Sequence, residues 1–167
     1  MNSDEVIIRL DQHDKNKINN IVLTCEAQIR LRKQRESFVH PNTAGTMRVG
    51  YTAEYAFAKW LGVPFSYRPY DRLSTDVMGY QIKATLLTAG CLIKKITNPA
   101  GVYVLGTVND TYDVVTFRGW MLSNEIEHEC YWRTDVPNPA WFVPQSQLWS
   151  MSELTATPEL AAHNGAF

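Results

Sequence analysis

Apolar residues in the N-terminal third recur with a helical period. From about Asp14 to Arg35, Ile18, Ile21, Val22, Cys25 and Ile29 form one stripe, and Asp14 is placed to cap the helix start. The end of this helix, Arg30-Leu31-Arg32-Lys33-Gln34-Arg35, is basic and matches the negative end of a helix dipole. It reads either as a solvated face or as a phosphate-contacting strip. His40-Pro41-Asn42-Thr43-Ala44-Gly45 is turn chemistry. A second helix follows from about Arg48 to Leu61, with Val49, Ala53, Ala56, Phe57 and Trp60 on one face, and Gly62 then Pro64 stop it. At about 100° per residue, Glu54 falls at the rim of that apolar face.

Beyond Val63 the period changes to two. Phe65 to Arg68 is a short strand candidate, and Tyr70 to Ser74 is a polar turn. In Asp76 to Leu86 the residues Tyr80, Ile82, Ala84 and Leu86 alternate with Gln81, Lys83 and Thr85. Val102 to Val108 is a nearly continuous apolar strand. Asn109-Asp110 turns it into Tyr112 to Phe117, which predicts a hairpin. Gly119 to Leu122 opens a short helix or turn, and Trp141 to Pro144 a last strand or edge segment. Ser150-Met151-Ser152-Glu153 has the capping-box pattern, and Thr155 onward reads as a frayed tail. Helices first and mostly adjacent strands afterwards predict an α+β domain, with a central mixed β-sheet flanked by helices.

A length of 167 residues suits a single domain spanning the chain, and 45% hydrophobic with 20% charged residues is a globular composition. The net charge of -1 argues against a protein that coats nucleic acid, so any basic face is local. Cys25, Cys91 and Cys130 are odd in number, scattered and outside any CxxC pair. This points to buried thiols in a reducing compartment. Met1 to Leu10 lacks a signal-peptide apolar core, and no apolar run approaches the roughly 20 residues that span a bilayer. A cytoplasmic protein without membrane partners is expected.

Phosphodiester hydrolysis gathers negative charge on phosphoryl oxygens and needs a deprotonated water. Magnesium or manganese serves both needs, and such hard ions take oxygen ligands. A lysine beside them orients the water and offsets phosphate charge. Asp76, Gln81 and Lys83 supply this set. Strand alternation puts Gln81 and Lys83 on one face, while Tyr80, Ile82 and Ala84 pack the other. A bend at Gly79 brings Asp76 alongside, and Glu54 adds a carboxylate from the preceding helix. A polar-out Gln-x-Lys strand is also common as plain surface.

The runs GYTAEYAFAKWLG (50–62) and TDVMGYQIKAT (75–85) resemble the PD-(D/E)XK nuclease superfamily. The resemblance covers about Val49 to Trp120, within a core region of 48–120. It implies a restriction-endonuclease-like αβββαβ core with the first helix added before it. Position by position, it implies that Glu54 is the helix acid, Asp76 the motif aspartate, Gln81 the second acid position and Lys83 the lysine. Ile82 would lend its backbone carbonyl to the metal. The implied activity is Mg2+- or Mn2+-dependent hydrolysis of DNA, and many such enzymes act as homodimers. Two departures stand out: Thr75 rather than proline precedes Asp76, and Gln81 replaces a carboxylate, which lowers the charge offered to a cation.

Arg68, Lys94 and Lys95 join Arg30, Arg32, Lys33 and Arg35 as candidate phosphate contacts. Lys94-Lys95 also reads as an exposed turn, and Arg68 and Arg72 as partners of local acids. His128-Glu129-Cys130 has no second ligand pair for zinc. Trp120, Trp132, Trp141 and Trp149 read as packing rather than a base-stacking platform. No glycine pattern indicates a nucleotide cofactor. The rival readings are a catalytically inactive relative that binds nucleic acid or a protein partner, and an unrelated α+β interaction protein.

Overall fold

The computed structural model describes residues 4–33, 43–66 and 75–156, without the side chains of 32, 33, 43, 44, 155 and 156. The candidates Arg35, Arg68 and Arg72, the 70–74 turn and the tail from 157 lie outside these residues, as do the side chains of the candidates Arg32 and Lys33.

A four-residue strand, β1 (Val6–Arg9), precedes helix α1 (Gln12–Lys33). Asp11, not Asp14, caps α1: Asp14 N–H donates to the Asp11 carboxylate at 2.9 Å, and Asp11 N–H donates to the Asp14 carboxylate at 3.0 Å. Asp14 closes a reciprocal box one turn in and pairs with Lys59 of the next helix at 2.5 Å. Ile18, Val22 and Cys25 bury the α1 stripe.

Helix α2 (Thr43–Leu61) starts earlier than its apolar stripe suggests, because the Thr43-Ala44-Gly45 turn chemistry forms its first turn. It ends in a Schellman pair, with Gly62 N–H donating to the Lys59 carbonyl at 3.2 Å and Val63 N–H to the Ala58 carbonyl at 3.0 Å. Phe65 and Ser66, the described half of the Phe65–Arg68 candidate, are not strand. The Phe65 ring instead packs edge-on to Tyr55, 5.7 Å between centroids.

The main sheet has the order β1-β5-β4-β2, with β2 (Tyr80–Thr85) parallel to β4 (Val102–Val108). The longer β5 (Val114–Leu122) runs antiparallel to both β4 and β1. The hairpin from β4 to β5 holds as expected, but Gly119–Leu122 is strand, not helix or turn. The register slips between Leu105 and Gly106, so that Arg118 bulges out and the ladder resumes. Gly119, at φ 151°, is fixed by crowding as well: a Cβ there would lie 2.6 Å from the Trp149 carbonyl oxygen.

Strand β3 (Leu92–Lys95), unforeseen in the sequence, leads a second sheet of order β3-β7-β6. Its other members are β6 (Trp132–Arg133) and β7 (Ala140–Val143). Short helices α3 (Ser123–Ile126) and α4 (Met151–Ala156) follow β5 and end the described chain. Ser150 and Glu153 form the expected cap on α4, with Ser150 N–H donating to Glu153 at 3.0 Å.

Two apolar cores lie on opposite faces of the main sheet. Ala53, Ala56 and Phe57 of α2 meet Tyr80, Ile82, Val102, Val104 and Phe117 on one face. On the other, Tyr103, Leu105 and Met121 meet Leu92, Val143 and Ile126. The strand period of two divides β4 between them. At Gly106 a Cβ would be 3.4 Å from that of Ala53, so α2 sits close over the sheet and carries Glu54 towards β2.

Candidate active site

The site is built at the edge of the main sheet, where β2 is the outermost strand among the described residues. Just before β2 the chain makes a turn of type I′ character. Met78 and Gly79 have φ of 47° and 89°, and Tyr80 N–H donates to the Val77 carbonyl at 2.8 Å. Gly79 takes that conformation at no steric cost, whereas Met78 takes it with strain of order 1 kcal/mol. Thr75 holds the turn through its hydroxyl, which accepts the Gly79 N–H at 2.9 Å.

This turn folds Asp76 back along the strand, and its carboxylate accepts the Ile82 N–H at 2.7 Å. The N–H and C=O of one strand residue point to the same edge. The Ile82 carbonyl therefore lies on the open edge that Asp76 occupies. The bend expected at Gly79 thus takes the form of a complete turn.

Glu54, Asp76 and Lys83 act on one another. Burial first and the Asp76 charge second push the Glu54 carboxyl up to about 8, with Lys83 partly offsetting them. Burial also raises Asp76, outweighing the Ile82 N–H and the Lys83 ammonium. Lys83 is lowered because burial, with help from Lys95 and Lys94, outweighs its attraction to Asp76 and Glu54. Two desolvated acids thus act on one desolvated lysine, from α2, the turn before β2 and β2 itself. Small Gly50, one turn before Glu54, leaves space there: a Cβ would sit 3.8 Å from the Glu54 carboxylate.

Gln81 shares the Lys83 face by alternation and is only 4% exposed. Tyr80 and Ile82 bury on the opposite face. The Lys83 ammonium lies 5.7 Å from the centroid of Tyr103, a neighbour that the sequence did not single out. Only the pairing of β2 with β4, Gln81 beside Tyr103 and Lys83 beside Leu105, brings it there.

The two lysines after the motif part company. Lys94 is not in an exposed turn: it is buried in β3, paired with Glu127 at 2.7 Å and close to the Tyr103 and Trp141 rings. Its charge is taken up inside the protein, which removes it from the phosphate-contact set. Lys95, the next residue, is exposed. Arg30 is exposed on α1. His128 and Cys130 stand together, Nδ1 to Sγ 3.1 Å, in a 3-10 turn.

Among the described residues no three His, Cys, Asp or Glu side chains form a group able to hold a metal ion. The residues that could hold a hard cation are two carboxylates, Glu54 and Asp76, with the neutral oxygens of Gln81 and Ile82. Its chemistry fits magnesium or manganese, which take oxygen ligands. A cation there would also relieve the repulsion between the two acids. Comparison of the chain with family models, curated proteins and solved structures finds no match.

Proposed function

We propose that this chain is a Mg2+- or Mn2+-dependent nuclease that hydrolyses DNA phosphodiester bonds. The observation that carries the reading is the mutual influence of Glu54, Asp76 and Lys83 at the edge of β2. In this reading α2, β2, β4 and β5 are the helix and strands of a restriction-endonuclease-like core, α1 is the added helix, and β3 begins an inserted sheet.

Glu54 and Asp76 hold the cation, with Gln81 and the Ile82 carbonyl as neutral ligands. The bound ion supplies charge stabilisation at the phosphoryl group and makes water more acidic. Lys83 donates to the attacking water and to a phosphate oxygen, fixing their approach. The buried setting of Lys83 strengthens these contacts, since little solvent screens them. Lys95 and Arg30 hold the flanking phosphates.

The test is cleavage of a panel of DNA forms in Mg2+ and Mn2+, with a chelated control. Asp76→Ala and Lys83→Ala are expected to keep the wild-type circular dichroism and lose at least about a hundredfold in rate, the scale of removing one preorganised charged group. Wild-type cleavage by either variant overturns the assignment.

One observation favours a second reading. With only two acids and an uncharged Gln81, the site offers a cation less charge than three carboxylates would. A catalytically inactive relative that binds nucleic acid or a protein partner predicts no metal-stimulated turnover and binding that survives Asp76→Ala.

A further inference from the structure

The second sheet turns one face to the core and one outward. Register puts Lys94 opposite Trp141 and Trp141 opposite Trp132, and on this side Lys94 is sealed against Tyr103. Ile93 opposite Phe142, and Lys95 opposite Ala140 and then Arg133, belong to the other side. There Ile93 is 38% exposed, Lys95 and Arg133 are exposed, and Phe142 is half-buried. The Arg133 guanidinium carbon lies 5.3 Å from the Phe142 ring centroid. Asp135 holds that guanidinium in two hydrogen bonds of 2.9 and 2.5 Å.

We propose that this outer face binds single-stranded DNA, with phosphates on Lys95 and Arg133 and an unpaired base stacked against the Phe142–Arg133 pair. The inference rests on the nuclease reading for its choice of polymer and deepens it by naming the form of the substrate. Two features support it. Two cations flank an aromatic ring on one sheet face, the combination that tracks a backbone and stacks bases without reading sequence. The Arg133–Asp135 pair is exposed, and such pairs are weak enough in water to exchange for a phosphate. Duplex DNA offers this face phosphates alone, since its bases are already stacked.

The test measures binding separately from cleavage. Labelled oligo-dT, the same length of duplex and oligo(U) are titrated by fluorescence anisotropy in chelator, over a range of salt. The whole chain is used as wild type, Phe142→Leu, Lys95→Gln and Arg133→Gln. Wild type is expected to bind oligo-dT more tightly than duplex. Phe142→Leu keeps the apolar packing and removes the ring, and oligo-dT affinity should fall roughly 5- to 100-fold. Lys95→Gln and Arg133→Gln should each reduce the slope of log affinity against log salt by about 0.7. A Phe142→Leu variant with unchanged thermal midpoint and unchanged oligo-dT affinity overturns the proposal. If Phe142→Leu does not fold, unchanged salt slopes in the two cation variants overturn it equally. Tighter binding of duplex overturns it too, and tighter binding of oligo(U) overturns it in favour of RNA. Oligo-dT binding by this face without any cleavage supports the inference and rejects the nuclease reading. Cleavage with no effect of the three substitutions does the reverse.

Discussion

Glu54 links local chemistry to stability in a direction opposite to that of most surface carboxylates. In the cation-free protein its folded-state value stands at about 8, against 4.5 for the ordinary group. Between these two values the native chain keeps a proton that the unfolded chain has released. The stability associated with that proton is fully present below about 4.5 and is lost as pH rises through about 8. Asp76 is shifted in the same sense. Thermal midpoints taken in chelator from pH 5 to pH 9 should therefore fall for the wild type. Glu54→Gln, which has no proton to lose, should flatten the fall, leaving the smaller slope from Asp76. A wild-type midpoint that rises over this range would show that the Glu54 carboxyl is not desolvated.

At the scale of elements, the β5 bulge decides whether the two sheets and α4 fit together. Gly119 touches the Trp149 carbonyl and the Leu148 side chain, which a Cβ would approach to 2.6 and 2.7 Å. Gly119→Ala should cost about 1–3 kcal/mol, read from urea unfolding, because backbone on both sides must shift. The same bulge explains why the sequence misled here. Gly119 reads as a break, and only the paired strand reveals that the ladder continues past it. Period-two alternation made β2 legible, a nearly continuous apolar run β4, and the Trp141–Pro144 segment β7, as helical spacing did for α1 and α2. Strand β3 was hidden because Lys94 occupies a core position, and its partner Glu127 comes only after α3, with β4 and β5 in between. The turn chemistry of Thr43 to Gly45 hid the start of α2, and β1 is four residues long. The candidate site divides in the same way. Asp76, Gln81 and Lys83 were legible since one turn and one strand place them. Tyr103 was not, because strand register rather than sequence spacing puts it under Lys83.

Across the whole molecule, β4 is shared by two cores, with Val102 and Val104 on one side and Tyr103 and Leu105 on the other. No described helix is long and apolar enough to cross a membrane. A cation that joins Glu54 on α2 to Asp76 beside β2 ties the first core to the sheet edge, so binding should stabilise the fold as a unit. At a concentration one hundred times its dissociation constant the gain is about 2.7 kcal/mol. Millimolar Mn2+ should therefore raise the thermal midpoint of the wild type at pH 8 by several degrees, and chelator should reverse the rise. Asp76→Asn should show neither change. An equal response in that variant would place the cation elsewhere.

The turn at Met78-Gly79 gives the site an asymmetric construction. Asp76, Gln81, Ile82 and Lys83 belong to a single short stretch of backbone, cross-linked by the carboxylate that grips the Ile82 amide. Glu54 alone arrives from outside, on a helix whose approach is set by Ala53 resting over Gly106. One jaw of the vice is therefore forged in one piece, and the other is set by how the helix packs. Enlarging the contact at Ala53 or Gly106 would widen the gap while leaving the fixed jaw intact.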